Sequence, residues 1–315
     1  MLPVSVVIPA FRGRELLRAN LPHLLRAASR HSHPVEVIVV VDDEGADGTP
    51  QMLAEQFPSV RVLVNDRNMG FGATVNRGVK ESSHRIVLPL NTDIVVDEAL
   101  FDRVLRWFED PAVFSVTPDM VDPGRRFETQ SLTRVKHGPC WFLVQNLQPC
   151  QLPTLEGEIP IFFGSGGASF YDREKFLALD GFDPLYRPFY IEDIDLGYRA
   201  WKAGWKCLFE PGTRVEHETS STIGSLAKKR KIKLIGDRNR HLFLWANFSD
   251  TPLLIRYLLM LPFSMLYDII AFRKYKMGGF FWALADAWKI PAARQRRQGL
   301  WKVPDSEILD RIVWP

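Results

Sequence analysis

Residues 4–41 read VSVVIPAFRGRELLRANLPHLLRAASRHSHPVEVIVVV, and this segment decides the fold. The β-branched runs at 4–8 and 35–41 are typical of strands that are buried on both faces. Between them, residues 14–29 place apolar side chains at the spacing of an amphipathic helix. A strand, a helix and a second strand of these lengths are typical of a parallel sheet that is covered by helices.

The same alternation of strands and helices continues along the first part of the chain. Gly204 is placed to end the last of the predicted helices. The pattern predicts an α/β fold with a mostly parallel central sheet flanked by helices. Further strands are predicted at residues 60–64, 86–90, 113–117 and 207–210, and further helices at 49–56, 72–81, 98–108, 174–179 and 192–203.

The composition of the 315 residues is that of a globular protein, with 46% hydrophobic and 24% charged residues, which excludes a mainly disordered chain. The three cysteines, Cys140, Cys150 and Cys207, contain no C-x-x-C spacing. This excludes a zinc ribbon and a disulfide framework, and it favours a reducing, cytosolic compartment. The first residues lack the basic region of a signal peptide, so we do not expect export.

The net charge of +3 is unevenly distributed. Residues 1–225 contain 23 Lys and Arg against 30 Asp and Glu, a balance of −7, whereas residues 226–315 contain 17 against 7, a balance of +10. We therefore predict two units, a catalytic domain at 1–225 and a basic, apolar helical extension at 226–315. A nucleic-acid partner is not expected, because the acidic first part offers no basic groove.

The extension contains a basic run, KKRKIK at 228–233, and an apolar stretch at 252–272. Arg256 and Asp268 interrupt that stretch and argue against a membrane-spanning helix. One interpretation is a set of helices that lie in a membrane interface, with the basic run attracted to anionic lipids. The alternative is a helical subdomain that packs on the catalytic domain or forms a homodimer.

Polar residues follow two of the predicted strands. Asp42 comes directly after the strand at 35–41, and Asn91 and Asp93 follow the strand at 86–90. Ligands of open parallel sheets bind at the carboxyl ends of strands, where Asp42 could accept a hydrogen bond from a base or sugar and Asp93 could hold a divalent cation. The alternatives are a turn in which Asp47 caps the next helix and a simple Asx turn after the second strand.

A third group of motifs lies near the middle of the chain. The small residues FGSGGA at 163–168 would let the backbone approach a ligand closely. In FYIEDID at 189–195, three carboxylates lie within four positions at the start of a predicted helix, whose N-terminus favours the ionised form that a general base requires. The alternative is that Asp193 or Asp195 merely caps this helix.

Two further motifs bear on the function. His217 follows the strand at 207–210 and a Pro-Gly turn, and it could ligate a metal only if the fold brings it beside Asp93. The segment GFGATV at 70–75 begins like a dinucleotide-binding fingerprint but lacks the third glycine and does not directly follow the first strand. A dinucleotide-dependent dehydrogenase is therefore not supported.

In their order and spacing these motifs resemble the inverting family 2 glycosyltransferases with the GT-A fold, in the non-processive, rhamnosyltransferase-like branch. The resemblance covers about residues 3–221. The Q-x-x-R-W motif of processive synthases is absent, so we expect one sugar per encounter. The segments that carry the resemblance are VSVVIPAF, VVDDEGADGT, NMGFGATVNRGV, LPLNTDIVV, GSGGASFYDREKF, GFDPLYRPFYIEDIDLGYRAWKAGW and VEH.

The resemblance implies a role for each matching residue. Asp193 would be the general base that deprotonates an acceptor hydroxyl, and Glu192 would position the acceptor or the base. Asp93 and His217 would hold a divalent cation, Mg²⁺ or Mn²⁺. Asp42 would contact the nucleobase of the donor. The other implied contacts are Pro9, Phe11, Asn68, Asn76, Asn91 and Thr92 for the nucleotide, and Gly166 and Gly167 for the donor sugar.

Two positions depart from the family pattern. Asn91 stands where the first aspartate of the D-x-D motif is expected, so the cation would rest on Asp93, His217 and phosphate oxygens. Glu44 stands where the family often has Gly-Ser, which leaves the choice of nucleotide open.

The resemblance implies a cytoplasmic enzyme, peripheral on the inner face of the membrane, that moves one sugar from a nucleotide diphosphate donor to a growing, lipid-linked or free cell-surface glycan. A dTDP-rhamnose donor is favoured, with UDP-sugars next. Two alternatives stay open. A sugar nucleotidyltransferase would need an Arg-containing, Gly-rich loop that PAFRG at 9–13 matches poorly, and a non-catalytic donor-binding or scaffold subunit is favoured only by Asn91.

Overall fold

The structure is a computed structural model that describes residues 2–43, 45–125, 128–137, 142–146, 148, 156–217 and 226–312. Glu44, Cys140 and Cys150 lie outside the described residues, as does the predicted unit boundary at 225. The strands are β1 (Val4–Ala10), β2 (Val35–Val41), β3 (Arg61–Val64), β4 (Ile86–Pro89), β5 (Ile94–Val96), β6 (Val113–Asp122), β7 (Glu128–Thr129), β8 (Thr133–His137), β9 (Phe142–Asn146), β10 (Phe170–Asp172) and β11 (Lys206–His217).

The helices include each of those predicted in the first part of the chain. The segment predicted at 98–108 is a short α-helix that tightens into a 3₁₀ turn at Leu105–Glu109. Gly204 has a φ of +85° and ends the helix that starts at Glu192, as predicted. The helices are α1 (Arg14–Arg30), α2 (Thr49–Gln56), α3 (Phe71–Glu81), α4 (Leu100–Val104), α5 (Arg173–Ala178), α6 (Glu192–Lys202), α7 (Leu226–Asn247), α8 (Thr251–Ile270), α9 (Lys274–Ala285), α10 (Ile290–Gln298) and α11 (Asp305–Ile312).

The central sheet has the strand order β3-β2-β1-β4-β10-β6-β11-β5, with β7 beside β6. The strands from β3 to β4 are all parallel, so their carboxyl ends meet at one edge. Beyond β4 the sheet is mixed, because β10 pairs antiparallel with both β4 and β6. The predicted α/β fold with helices around a central sheet is confirmed, and its parallel part is the half that carries Asp42 and Asn91.

The strand predicted at 207–210 is in fact longer. The Pro-Gly pair does not end β11, since the pairing with β6 shifts register between Glu210 and Arg214 and then continues. Arg214 also forms an ion pair with Asp119 of β6 at 3.0 Å. The longer strand pairs antiparallel with β5 and places His217 opposite Ile94. The bulge thus carries His217 to the strand that follows Asp93.

The hydrophobic core has one layer on each face of the sheet. Adjacent residues of β1 contribute to opposite layers, Val6 to one and Val7 to the other. The layer on the Val6 side includes side chains of α1 and α4. The layer on the Val7 side includes side chains of α3 and α6, together with Leu242 of α7 and Ile308 of α11. The helices of residues 226–312 therefore share a core with the sheet.

Candidate active site

The nucleotide candidates gather at the carboxyl edge of the parallel strands. Ala10 of β1 is paired with Val41 of β2, so Pro9 and Phe11 lie beside Asp42 along this edge. Phe11 is exposed, whereas Asp42 is buried. Leu90 donates its N–H to the carbonyl of Val7, which places Asn91 at the same edge. The structure thus brings together residues that the sequence separates by about 80 positions.

The carboxylate of Asp42 organises the loop before α3. Its Oδ1 accepts hydrogen bonds from Asn65 Nδ2 at 2.6 Å and from the Met69 N–H at 2.8 Å, and its Oδ2 accepts one from the Gly70 N–H at 2.9 Å. The contact of Asp42 with a nucleobase stays a prediction. The buried Asn65, which sequence reasoning missed, holds Asp42 in place.

Asn68 and Asn76 hold the backbone near this edge. The Oδ1 of Asn68 accepts a hydrogen bond from the Gly70 N–H at 3.0 Å. The side-chain amide of Asn76 donates to the carbonyl of Phe182 and accepts from its N–H, each at 2.9 Å. Both ends of the Asn76 amide are therefore used to fix the segment that leads to Glu192, and its contact with a nucleotide stays a prediction.

A glycine turn connects the end of β4 with the start of α6. The Asn91 N–H donates to the carbonyl of Gly167 at 2.9 Å. A Cβ atom on Gly167 would lie 2.5 Å from Asn91 Nδ2, so a larger residue here would displace the Asn91 amide. On the other side, the Gly166 N–H lies 3.4 Å from Asp193 Oδ2 and donates a long hydrogen bond to it. The turn therefore places Asp193, the predicted base, beside the carboxyl edge of the sheet, where the nucleotide is predicted to bind.

Thr92 also lies at the carboxyl edge of the parallel strands, on the side that faces α1. Its carbonyl accepts a hydrogen bond from Asn20 Nδ2 at 2.8 Å. The Thr92 Cγ2 atom lies close to Gly13, where a Cβ would come within 3.1 Å of it. These contacts fix the turn between β4 and β5, on which Asp93 lies.

Glu192 and Asp193 are two adjacent buried carboxyls at the start of α6. Burial raises the pKa of Glu192 to about 8, with a further contribution from the charge of Asp193. Burial also raises the pKa of Asp193, although the N–H groups of Ile194 and Gly166 oppose this by stabilising its charge. Burial thus raises the pKa of both carboxyls toward neutral pH, which is the direction that a general acid or base working near neutral pH requires.

Glu192 also lines an open cleft of about 570 Å³ together with Asn76 and Tyr186. Among the described residues, its Oε2 is buried without a hydrogen-bond partner. A buried polar atom of this kind costs free energy unless a ligand or solvent satisfies it. The cleft is therefore a candidate position for the acceptor hydroxyl.

Asp195 has a different environment from its two acidic neighbours. Its Oδ1 accepts hydrogen bonds from Tyr186 Oη at 2.6 Å, Asn247 Nδ2 at 2.7 Å and Arg297 at 2.9 Å. Its Oδ2 accepts one from Arg199 Nε at 2.7 Å. The cap position of α6 is Ile191, whose side chain accepts no hydrogen bond, whereas Asp193 Oδ1 accepts one from the Ile194 N–H of the first turn at 2.8 Å. Asp195 is thus a buried ion-pair residue rather than a cap or a base.

The extension also holds the loop that precedes the acidic pair. The side-chain amide of Asn239, on α7, donates to the carbonyls of Tyr186, Phe189 and Tyr190 at 2.8, 3.1 and 2.9 Å. The loop ends at Ile191, whose φ of +85° is unusual for a β-branched residue. Such strained backbone persists only where surrounding contacts hold it, and Asn239 supplies three of them.

The structure brings His217 next to Asp93, as a joint metal site requires. His217 Nε2 lies 3.5 Å from Asp93 Oδ1, and its Nδ1 lies 3.3 Å from Gln130 Oε1. A carboxylate and an imidazole suit Mn²⁺, and Gln130 would orient the ring. Within the described part of the chain no cluster of three or more His, Cys, Asp or Glu residues could hold a metal ion. A cation held by this pair would need its remaining ligands from elsewhere, such as the oxygens of a diphosphate.

Comparisons with known proteins identify the family of the chain. The model of the family described as Glycosyl transferase family 2 matches residues 5–179, which is more than half of the chain. A relative from Mycobacterium tuberculosis strain H37Rv, N-acetylglucosaminyl-diphospho-decaprenol L-rhamnosyltransferase, is 29% identical over 262 residues, which are 71% of this chain and 82% of the relative.

Two solved structures share the fold. GalNAc-T7 with UDP, GalNAc and Mn²⁺ has a TM-score of 0.63 at 17% identity, over 93% of this chain and 58% of that protein. TarS 1–349 from S. aureus has a TM-score of 0.56 at 14% identity, over 98% of this chain and 90% of that one. The fold is thus GT-A, and the chain is a glycosyltransferase that belongs to glycosyl transferase family 2.

Proposed function

We propose that this glycosyltransferase inverts the configuration of one sugar as it moves it from a nucleotide diphosphate to a hydroxyl of a growing cell-surface glycan. The observation that carries the proposal is the glycine turn, which sets Asp193 beside the strand end that bears Asn91 and Asp93. A dTDP-rhamnose donor is favoured by the M. tuberculosis relative, and a UDP-sugar by the UDP in GalNAc-T7.

In the proposed reaction the carboxylate of Asp193 takes the proton of the acceptor hydroxyl. The acceptor oxygen forms a bond to the anomeric carbon while the bond from that carbon to the diphosphate oxygen breaks, and the electron pair leaves with the diphosphate. Protonated Glu192 orients the acceptor from the cleft. Asp93 and His217 would hold a divalent cation, which when bound neutralises charge on the leaving diphosphate.

The nucleotide site is tested by thermal shift and calorimetry of the full chain with UDP, dTDP, GDP and CMP, with and without Mn²⁺. We expect one diphosphate to bind selectively and more tightly with Mn²⁺, because a bound ligand stabilises the folded state. Asp93→Ala and His217→Ala should each lower the Mn²⁺-dependent part of the affinity roughly 10-fold or more, by analogy with the loss of groups around metal sites.

His33→Ala is the matched control for the metal site, since His33 lies just before the amino end of β2, away from the site. If Mn²⁺ enhances binding equally in Asp93→Ala and the wild type, the proposed metal site is wrong. If no nucleotide binds, the proposed reaction is wrong as well. Selective binding without sugar transfer would favour the non-catalytic subunit, which Asn91 in place of an aspartate suggests.

For its location, we infer that the enzyme works as a peripheral protein on the inner face of the cytoplasmic membrane. The M. tuberculosis relative is named for a decaprenol-linked acceptor, which supports a lipid-linked acceptor for this chain too. The helix α8 is long and apolar enough to cross a bilayer by length and composition alone. A homodimer formed by the extension is the competing arrangement, and the experiment below separates the two.

A further inference from the structure

The exposed apolar side chains of this protein are concentrated on one part of the extension. Among the described residues, thirteen of the eighteen exposed large hydrophobic side chains lie between residues 255 and 288. Concentrations of exposed apolar side chains of this kind mark interaction sites. We name this set the apolar face, and its members are Ile255, Leu258, Leu259, Phe263, Leu266, Tyr267, Ile269, Ile270, Phe272, Phe281, Trp282, Leu284 and Trp288.

The helix α8 presents the apolar face on one side and packs against the protein on the other. Leu259 and Phe263 are each more than 60% exposed and lie one turn apart. On the opposite side Tyr257 is buried, and its hydroxyl lies 3.1 Å from Trp245 Nε1 and 3.0 Å from His241 Nδ1 of α7. The helix therefore lies along the surface of α7 and α9 with one face uncovered.

Basic side chains accompany the apolar face. Its range also contains two acidic residues, Asp268 and Asp286, whose side chains are 11% and 14% exposed and pair with Arg273 and Lys289. Arg273 lies over the ring of Tyr267 at 5.0 Å, and Lys289 over that of Trp288 at 5.5 Å. Cations beside aromatic rings at the rim of an apolar surface are typical of helices in a membrane interface.

We propose that the apolar face docks in the plane of an anionic lipid bilayer, with its apolar side chains among the acyl chains and its cations at the headgroups. The excess charge of +10 in residues 226–315 favours an anionic surface and disfavours a symmetric pairing of two such extensions. A spanning α8 would have to expose Asp268 and Tyr257 to lipid. The proposed docking deepens the membrane location inferred above. It rests on the proposed lipid-linked acceptor only in that such an acceptor explains why the enzyme would bind a membrane.

The test is flotation of the purified full chain with phosphatidylcholine vesicles, with or without phosphatidylglycerol. We expect binding to the anionic vesicles that weakens with salt and is weaker on neutral vesicles. The double variant Leu259→Glu and Phe272→Glu should lower the partition coefficient about 10-fold or more. Both side chains are well exposed, so the melting temperature should stay close to that of the wild type.

Leu16→Glu, which changes an exposed leucine on α1, is the matched control and should bind vesicles like the wild type. The proposal is overturned if the wild type does not float with anionic vesicles, or if the double variant floats as well as the wild type. It is also overturned if the wild type is a dimer that the double variant dissociates, or if alkaline carbonate fails to extract the protein from native membranes. Nucleotide binding should be unchanged in the double variant. A failure of the proposed membrane docking can therefore be distinguished from a failure of the proposed reaction.

Discussion

Replacing Asp193 by asparagine is expected to lower the rate of sugar transfer about 100- to 10,000-fold, because the amide cannot take the proton of the acceptor hydroxyl. Since burial raises the pKa of Asp193, the wild-type rate should rise with pH along a limb that lies above the usual range of an aspartate. The variant should lose that limb and keep its affinity for the nucleotide. Release of nucleotide diphosphate in the presence of donor and membrane extract, measured across pH, checks both effects.

Glu192→Gln is the matched variant, and it tests which of Glu192 and Asp193 is the base. With a pKa of about 8, Glu192 is protonated near neutral pH, and glutamine preserves a neutral group that donates hydrogen bonds. We therefore expect Glu192→Gln to keep far more activity at pH 7 than Asp193→Asn. If Glu192→Gln is the more damaging change and Asp193→Asn is nearly fully active, Glu192 is the base and our assignment is wrong.

The parallel half of the sheet and its polar edge could be predicted because local patterns encode them. The run at 35–41 is strand β2 as predicted, and Asp42 follows it directly. Local patterns do not predict that Asp93 and His217 meet, since the two residues are far apart in sequence and the Pro-Gly pair indicates the end of a strand. Only the pairing of β11 with its neighbours shows that the strand continues past the bulge to His217.

The support of the catalytic loop by the extension could not be predicted from one sequence. Asn239 is a single amide in a long helix, and its three carbonyl partners lie about 50 positions earlier. Arg297 belongs to the basic segment RQRR at 294–297, and such a segment is also typical of a membrane-facing flank. Whether such a cation meets solvent, lipid or a buried carboxylate depends on which helices pack together, and periodicity contains no such information.

Arg297→Ala is expected to lower the free energy of unfolding by about 3–5 kcal/mol, because two buried carboxylates lose the buried cation that they share. Asp195 would keep only Arg199, and Asp183 only the half-exposed Arg296. The guanidinium of Arg297 is 3% exposed and bonds to Asp195 at 2.9 Å and to Asp183 at 2.6 Å. Arg296→Ala is the matched control, since Arg296 also reaches Asp183, at 3.2 Å, but is 48% exposed. Exposed pairs contribute about 0–1 kcal/mol, so urea denaturation should separate the two variants clearly.

The pH dependence of the same variants distinguishes a lost ion pair from lost packing. Burial alone would raise the pKa of Asp183, but Arg297 and the Leu185 N–H hold it below its ordinary value. A carboxyl whose pKa is lowered by folding contributes stability above its unfolded pKa and loses that contribution as the pH falls through the folded value. The difference in stability between the wild type and Arg297→Ala should therefore shrink in acid. If it is the same at pH 3 and pH 7, or if Arg296→Ala is equally destabilising, Arg297 stabilises the protein by packing alone.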